Sequence, residues 1–355
     1  MVKIDFYSLT YLSIRIMNTE ELFKSLAILE SIKLNKKESF EGRLLKGWRG
    51  EHEFFKIAKK EKIECIEGPW IIRPTKIPIR FLFYINIGDI KSFPKQLIEL
   101  KSQNLIPFIL CASFQDISIP YPPRWYVTKS GTWKKEIKRP EILSVKYEVY
   151  DKHFSHIVTV DWENFQSLGM SPFNFNFTQR SRFFKYDQNY VNNIVSREKD
   201  SFEIDFLQTL YAKRFFFNYI LSAFTFFETG IDIDAILIFN NKKFIIEIKE
   251  KFPIPQTNEF GWDAHRIVPY FFLQKEMEAK IIYCIREVIS EVDRSFKDWK
   301  LIDLDNFLLY ANYAAAIAGG AGAFGYKGTT TLQVSADLFY SLSHESLRNI
   351  LNKIK

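Results

Sequence analysis

Apolar positions fall in two rhythms along this 355-residue chain. Leu22, Phe23, Leu26, Leu29 and Ile32 recur at helical spacing and predict a helix over 19–34. Thr19 opens it, with Glu20 and Glu21 in the first turn. The same rhythm predicts helices from Gly50 to Lys60, from Phe202 to Phe227 and from Asp263 to Glu278, the last with Asp263 as N-cap. Compact apolar runs predict strands over 79–87, 105–111, 142–150, 155–160 and 280–286, with a helix near 94–101. Residues 166–182 carry turn signals and read as a linker, which puts a domain boundary there.

The most informative stretch runs from Gly230 to Lys249, GIDIDAILIFNNKKFIIEIK. Ile231, Ile233, Ile236, Leu237 and Ile238 predict a buried strand that carries Asp232 and Asp234 on one face. Asn240 and Asn241 mark a hairpin turn, because asparagine tolerates positive φ. The return strand, Phe244 to Ile246, ends in Glu247, Ile248 and Lys249, with Glu247 and Lys249 on one face. Burying acids among isoleucines is costly unless positive charge compensates them. A divalent cation beside a lysine would do so. The plainer alternative is an edge hairpin whose acids face water, but apolar runs this dense fit burial on both faces better.

Composition narrows the class. Hydrophobic residues at 47% fit a globular chain with a substantial core, and the length suits two domains. A net charge of +7 favours a polyanionic partner. Cys65, Cys111 and Cys284 are far apart and lack CxxC spacing, which argues against disulfides and zinc and suits a reducing cytoplasm. No signal-peptide pattern or membrane-length apolar run is present, so a cytoplasmic protein off the membrane is expected. The glycine-rich stretch 319–331 lacks the order of a phosphate-binding loop.

A strand with Asp, a turn, a strand ending in Glu-x-Lys, then a helix and another strand resembles the PD-(D/E)XK nuclease superfamily, whose best-known branch is the type II restriction endonucleases. The resemblance covers roughly residues 195–290. It implies that Asp234 and Glu247 are the metal-binding carboxylates, with the carbonyl of Ile248 a third ligand, and that Lys249 orients or deprotonates the attacking water. Asp232 falls where relatives carry an extra acid, and Glu203 is the nearest match to an acid on the preceding helix. A solvated helix-start acid is the plainer reading of Glu203. The prolyl-aspartate that names the superfamily is absent, since Ile233 precedes Asp234. The implied cofactor is Mg²⁺, a hard cation that takes one or two carboxylates and keeps several waters.

Candidate DNA contacts lie elsewhere. Arg124, Trp125, Lys134 and Lys135 belong to a basic, aromatic stretch suited to phosphates and bases, or to a surface hairpin anchored by its tryptophans. Arg180 and Arg182 lie in the linker, and Arg266 follows His265 at the start of a helix. The expected fold is α/β: a mixed-sheet nuclease core over 181–355 flanked by helices, and a separate N-terminal α/β domain over 1–180 for DNA recognition. The expected activity is Mg²⁺-dependent cleavage of double-stranded DNA by a homodimer, as in a type II restriction endonuclease. A structure-specific repair, junction-resolving or anti-phage nuclease, and a non-catalytic nucleic-acid-binding protein, are the alternatives.

Overall fold

The computed structural model describes residues 18–33, 44–74, 80–87, 97, 105–120, 125–127, 133–135, 141–150, 157–160, 188–198, 200–217, 227–290, 292–318 and 330–354. In chain order the elements are α1 (Thr19–Lys33), α2 (Leu45–Lys60), β1 (Glu64–Glu67), β2 (Trp70–Pro74), β3 (Arg80–Ile87), β4 (Leu105–Pro120), β5 (Trp125–Val127), β6 (Trp133–Lys135), β7 (Glu141–Tyr150) and β8 (Ile157–Val160). There follow α3 (Gln188–Glu198), α4 (Ile204–Phe215), β9 (Phe227–Asp232), β10 (Ala235–Phe239), β11 (Lys242–Lys251), β12 (Glu259–Asp263), α5 (Ala264–Glu276) and β13 (Ala279–Val288). The chain ends with β14 (Phe296–Asp303), α6 (Leu304–Tyr310), β15 (Asn312–Ala318), β16 (Thr330–Ser335), β17 (Tyr340–Ser341) and α7 (Leu347–Lys353). The protein is mixed α/β, as its sequence predicts.

One six-stranded sheet has the order β1-β10-β11-β13-β14-β17, with β11 and β13 parallel and the other pairs antiparallel. Its centre is β11, where Phe244, Ile245, Ile246, Glu247 and Ile248 are all buried. That burial excludes the water-facing hairpin, since each fully buried large apolar side chain contributes about 1.5–3 kcal/mol. The turn into β11 has positive φ at both Asn240 (49°) and Asn241 (60°), the geometry their sequence predicts.

The second six-stranded sheet has the order β8-β7-β4-β3-β2-β9. The expected division at residue 180 does not follow these sheets. β1, from the N-terminal half, pairs with β10 and edges the C-terminal sheet, whereas β9, from the C-terminal half, pairs with β2. The segment from β2 to β9 is therefore inserted between two neighbouring strands of the core sheet. Helix α4 ties the inserted sheet down: Tyr211 Oη donates to Leu143 O at 2.7 Å, and Tyr147 Oη donates to Ala212 O at 2.6 Å.

The single strand expected to carry both Asp232 and Asp234 is two strands. Asp232 ends β9, residues 233–234 are irregular, and β10 begins at Ala235 in the other sheet. The chain crosses between sheets at this point, with Ile233 N donating to Pro69 O and Gly68 N donating to Asp234 O, each at 3.0 Å. Predicted helix 202–227 is shorter, since α4 ends at Phe215 and β9 starts at Phe227. Predicted strand 105–111 extends through Pro120. All three cysteines are free thiols. Among the described residues no helix is long and apolar enough to cross a membrane.

Candidate active site

Hydrogen bonding of β11 to β10 and β13 sets the centre of the site. Glu247 lies opposite Tyr283 in the parallel register and is fully buried. Its Oε1 receives Lys249 Nζ at 2.7 Å and Arg266 Nη1 at 2.7 Å. Its Oε2 accepts a short hydrogen bond from Tyr270 Oη. Arg266 and Tyr270 lie four residues apart on α5, one helical turn, so a single helix face supplies both donors. Burial works against charge on Glu247, but Lys249 and Arg266 outweigh it and hold this carboxyl below the ordinary glutamate range.

Asp234 sits at the crossing between sheets, also buried. Its Oδ2 accepts from Ile248 N at 2.6 Å and lies 3.7 Å from Lys249 Nζ. Burial pushes its pKa well above the usual aspartate value; Lys249 opposes this, and the nearby charge of Glu247 reinforces it. Two carboxylates in one dry site cannot ionise independently, and here the fixed donors favour charge on Glu247.

Lys249 reports where the oxygens converge. Its Nζ is 2.7 Å from Glu247 Oε1, 3.0 Å from Ile248 O and 3.7 Å from Asp234 Oδ2. The expected catalytic residues and the expected third ligand thus surround one positive charge. Burial of Lys249 is outweighed by Asp234 and Glu247, which raise its pKa above the ordinary lysine value. Among the described residues no three His, Cys, Asp or Glu side chains gather as ligands. The donor set is two carboxylates and one carbonyl, all hard oxygens, which fits Mg²⁺ and does not fit zinc.

Asp232 is placed differently from its neighbour. Lys213 Nζ approaches its Oδ1 at 3.2 Å, and Arg214 Nη2 approaches its Oδ2 at 3.6 Å. Arg214 also reaches Glu30 of α1 at 3.5 Å. Burial disfavours charge on Asp232, but Lys213 and Arg214 together hold its pKa below the usual value. Asp232 therefore anchors α4 to the sheet crossing beside the centre. Glu203, at the N-cap of α4, is held by Lys56 at 2.9 Å and faces His52 at 3.8 Å.

Tyr270, Lys213 and Arg214 escaped the sequence analysis, as did two further groups. Glu51, on α2, interacts electrostatically with Lys213, Asp232, Arg214 and Lys249, and its charge reaches Asp234. Burial raises its pKa, with Lys213 opposing. The available signal was its position on the apolar stripe of α2, between buried Trp48 and Phe55. The helix comes close to the site because Gly50 lies against Ile248, where a β-carbon would stand 3.4 Å from Ile248 Cγ2. Lys251 is the second, two residues beyond Lys249 on the same strand face. It donates to the carbonyl of Gly261, and burial lowers its pKa to about 8.

Of the expected DNA contacts, Arg266 is 44% exposed in its side chain while bonded to Glu247, so it borders the centre and the surface together. Trp125, Lys134 and Lys135 lie on the two-stranded β5–β6 hairpin. Arg124, Arg180 and Arg182 lie outside the described residues. Asp263 precedes α5 without capping it through its side chain, and its Oδ1 accepts from Thr331 Oγ1 at 3.1 Å.

No family model and no curated protein matches the chain. Among solved structures it is similar to the Holliday junction resolvase Hjc of Archaeoglobus fulgidus, with 7% identity and a TM-score of 0.21 over 32% of this chain and 70% of that one. A likeness this slight defines neither fold nor activity.

Proposed function

We propose that the chain is a Mg²⁺-dependent endonuclease that hydrolyses phosphodiester bonds of DNA. The observation that carries this reading is the convergence of Asp234, Glu247 and the Ile248 carbonyl on one cation, Lys249 Nζ. Asp234, Glu247 and Ile248 would hold the metal, which supplies charge stabilisation at the phosphoryl oxygens and a more acidic bound water. Lys249 orients that water and offsets negative charge developing on the phosphate. Arg266 and Tyr270 fix the Glu247 carboxylate, and Arg266, half in solvent, meets a flanking phosphate.

In its finer form the proposal is a type II restriction endonuclease acting in the cytoplasm on double-stranded DNA. Palindromic targets require a homodimer with one centre on each strand. The large insertion between β1 and β10 supports target selection by residues outside the core, with Arg124, Trp125, Lys134, Lys135, Arg180 and Arg182 as its proposed DNA contacts. Purified protein with plasmid and Mg²⁺ then gives discrete fragments, and Asp234→Ala, Glu247→Ala and Lys249→Ala each abolish cutting while retaining DNA binding. Cutting confined to branched substrates would favour a junction-resolving enzyme. Wild-type cutting by any of the three variants defeats the site assignment, and binding without cutting by the unaltered protein leaves a non-catalytic role.

A further inference from the structure

The segment that delivers Arg266 and Tyr270 to Glu247 is itself pinned at the carbonyl oxygen of Gly261, on β12. Tyr283 Oη donates to that oxygen at 2.8 Å, and Lys251 Nζ donates to it through a second, short hydrogen bond. The two donors come from the parallel strand pair at the centre of the core sheet. Lys251 belongs to β11, on the face that carries Glu247 and Lys249. Tyr283 belongs to β13 and lies opposite Glu247 in the register. Gly261 stands five residues before Arg266 in the chain. A path of contacts thus leaves Glu247 through α5 and returns through Gly261 to the same two strands.

Packing around Gly261 is tight on both sides. Trp262 stacks on Tyr283 with centroids 4.4 Å apart and rings 10° from parallel, and its ring lies 5.7 Å from that of Tyr270. On the other side Gly261 pairs with Gln333 of β16, and a β-carbon on it would stand 2.5 Å from Thr331 Cγ2. The next turn of chain is tied as well, since Thr331 Oγ1 donates to Asp263 Oδ1 at 3.1 Å. Helix α5 therefore starts from a fixed point.

Lysine is a costly choice at position 251. Burial works against its charge and Asp263 opposes that effect, while Lys249 and Arg266 add repulsion. Its one described hydrogen bond goes to a neutral carbonyl instead of an acid. Its ammonium lies 5.9 Å from the centroid of the Tyr283 ring. An apolar side chain of similar length would cover that ring without burying charge, so packing alone does not account for a lysine here. Resting on the nuclease reading, we propose that Lys251 is a positioning residue: with Tyr283 it fixes the Gly261 carbonyl, and so holds α5 where Arg266 and Tyr270 keep the Glu247 carboxylate aimed at the metal. It acts through α5 and touches neither metal nor substrate.

Calorimetric titration of the full chain with Mn²⁺ tests this without turnover. Removing a positive charge near the carboxylates would by itself tighten cation binding, whereas loss of support weakens it. Lys251→Met is expected to weaken Mn²⁺ binding about tenfold, the low end for groups that support metal ligands. Tyr283→Phe deletes only the other donor and is expected to weaken binding too; it carries the test if Lys251→Met does not fold. In a protein already carrying Arg266→Met and Tyr270→Phe, Lys251→Met is expected to weaken binding no further, because Glu247 has lost both donors from α5. Affinity unchanged or tightened in Lys251→Met, or a full tenfold loss in the doubly altered background, overturns the proposal. If the unaltered protein binds no Mn²⁺, the nuclease reading falls, and amide hydrogen exchange decides the positioning role. Lys251→Met should then speed exchange across α5 about tenfold, the scale of one lost hydrogen bond from a charged donor, and leave α2 unchanged. Unaltered exchange in α5 defeats it.

Discussion

The ammonium of Lys213 stands 3.2 Å from Asp232 Oδ1 and packs against Gly68, where a β-carbon would come within 2.1 Å of it. Gly68 also has φ of +55°, a conformation that side chains disfavour. Glycine is thus required twice, once for the backbone and once for the space. Lys213 cannot withdraw freely, because its partner Asp232 lies in the segment that ends just before Asp234. Gly68→Ala is expected to cost about 1–3 kcal/mol of stability. It should also lower cleavage beyond that loss, because the N–H that holds Asp234 shifts with Lys213. Denaturant unfolding and cleavage rates measured well below the melting temperature check both. A variant with full stability and full activity would remove Gly68 from the site's support.

Glu51 approaches the same group of charges from α2. It interacts with Lys213, Asp232, Arg214 and Lys249, whereas Glu203 is paired with Lys56. Glu51→Gln keeps the shape and removes the charge. The expected result is about 10- to 100-fold weaker metal binding, the range for groups that support metal ligands. Calorimetric titration with Mn²⁺ measures it without any turnover. Unchanged Mn²⁺ affinity would show that Glu51 serves only the packing of α2.

Tyr270 and Arg266 divide the Glu247 carboxylate between them, one oxygen each. Tyr270→Phe deletes a hydrogen bond to a charged acceptor, worth about 1.5–3 kcal/mol when buried. On the proposed function the loss should fall on kcat, with KM for DNA little changed, because the tyrosine is buried and holds Glu247, the proposed metal ligand. Arg266→Met should raise KM as well, since its side chain is half exposed. Equal effects on KM from both variants would contradict the division of roles.

How far the sequence reveals this site depends on distance along the chain. Glu247, Lys249 and the Asn240–Asn241 turn were legible because one hairpin carries them all, and a hairpin's register follows from its turn and its alternation. The shared strand expected for Asp232 and Asp234 was not there. Ile231 and Ile233 look alike in sequence, yet one belongs to a strand of the inserted sheet and the other to the crossing. Periodicity cannot report such a switch, because both sheets bury isoleucine. Glu51 was hidden for a related reason: it reaches the centre only because β1 pairs with β10 across the whole insertion. The same pairing undoes the division at residue 180, since a linker-like composition marks irregular chain and says nothing of which sheet the flanking strands join.

Glu67 provides a pH test that is independent of metal and DNA. Burial, opposed by Lys213, raises its carboxyl from 4.5 to about 7. The folded chain therefore keeps a proton that the unfolded chain releases, and ionising Glu67 in place works against folding. Its contribution favours the folded state below pH 4.5 and is lost as pH rises toward 7. Over that window the loss amounts to at most about 3 kcal/mol, from 1.36 kcal/mol per pKa unit. Glu67→Gln holds a neutral side chain at every pH, so it should gain stability over the unaltered protein steadily from pH 5 to pH 7 and hold that gain above it. Melting temperatures of the two proteins across this range decide the matter. If the two curves run parallel, Glu67 titrates as a free carboxylate and its surroundings are wetter than their packing implies.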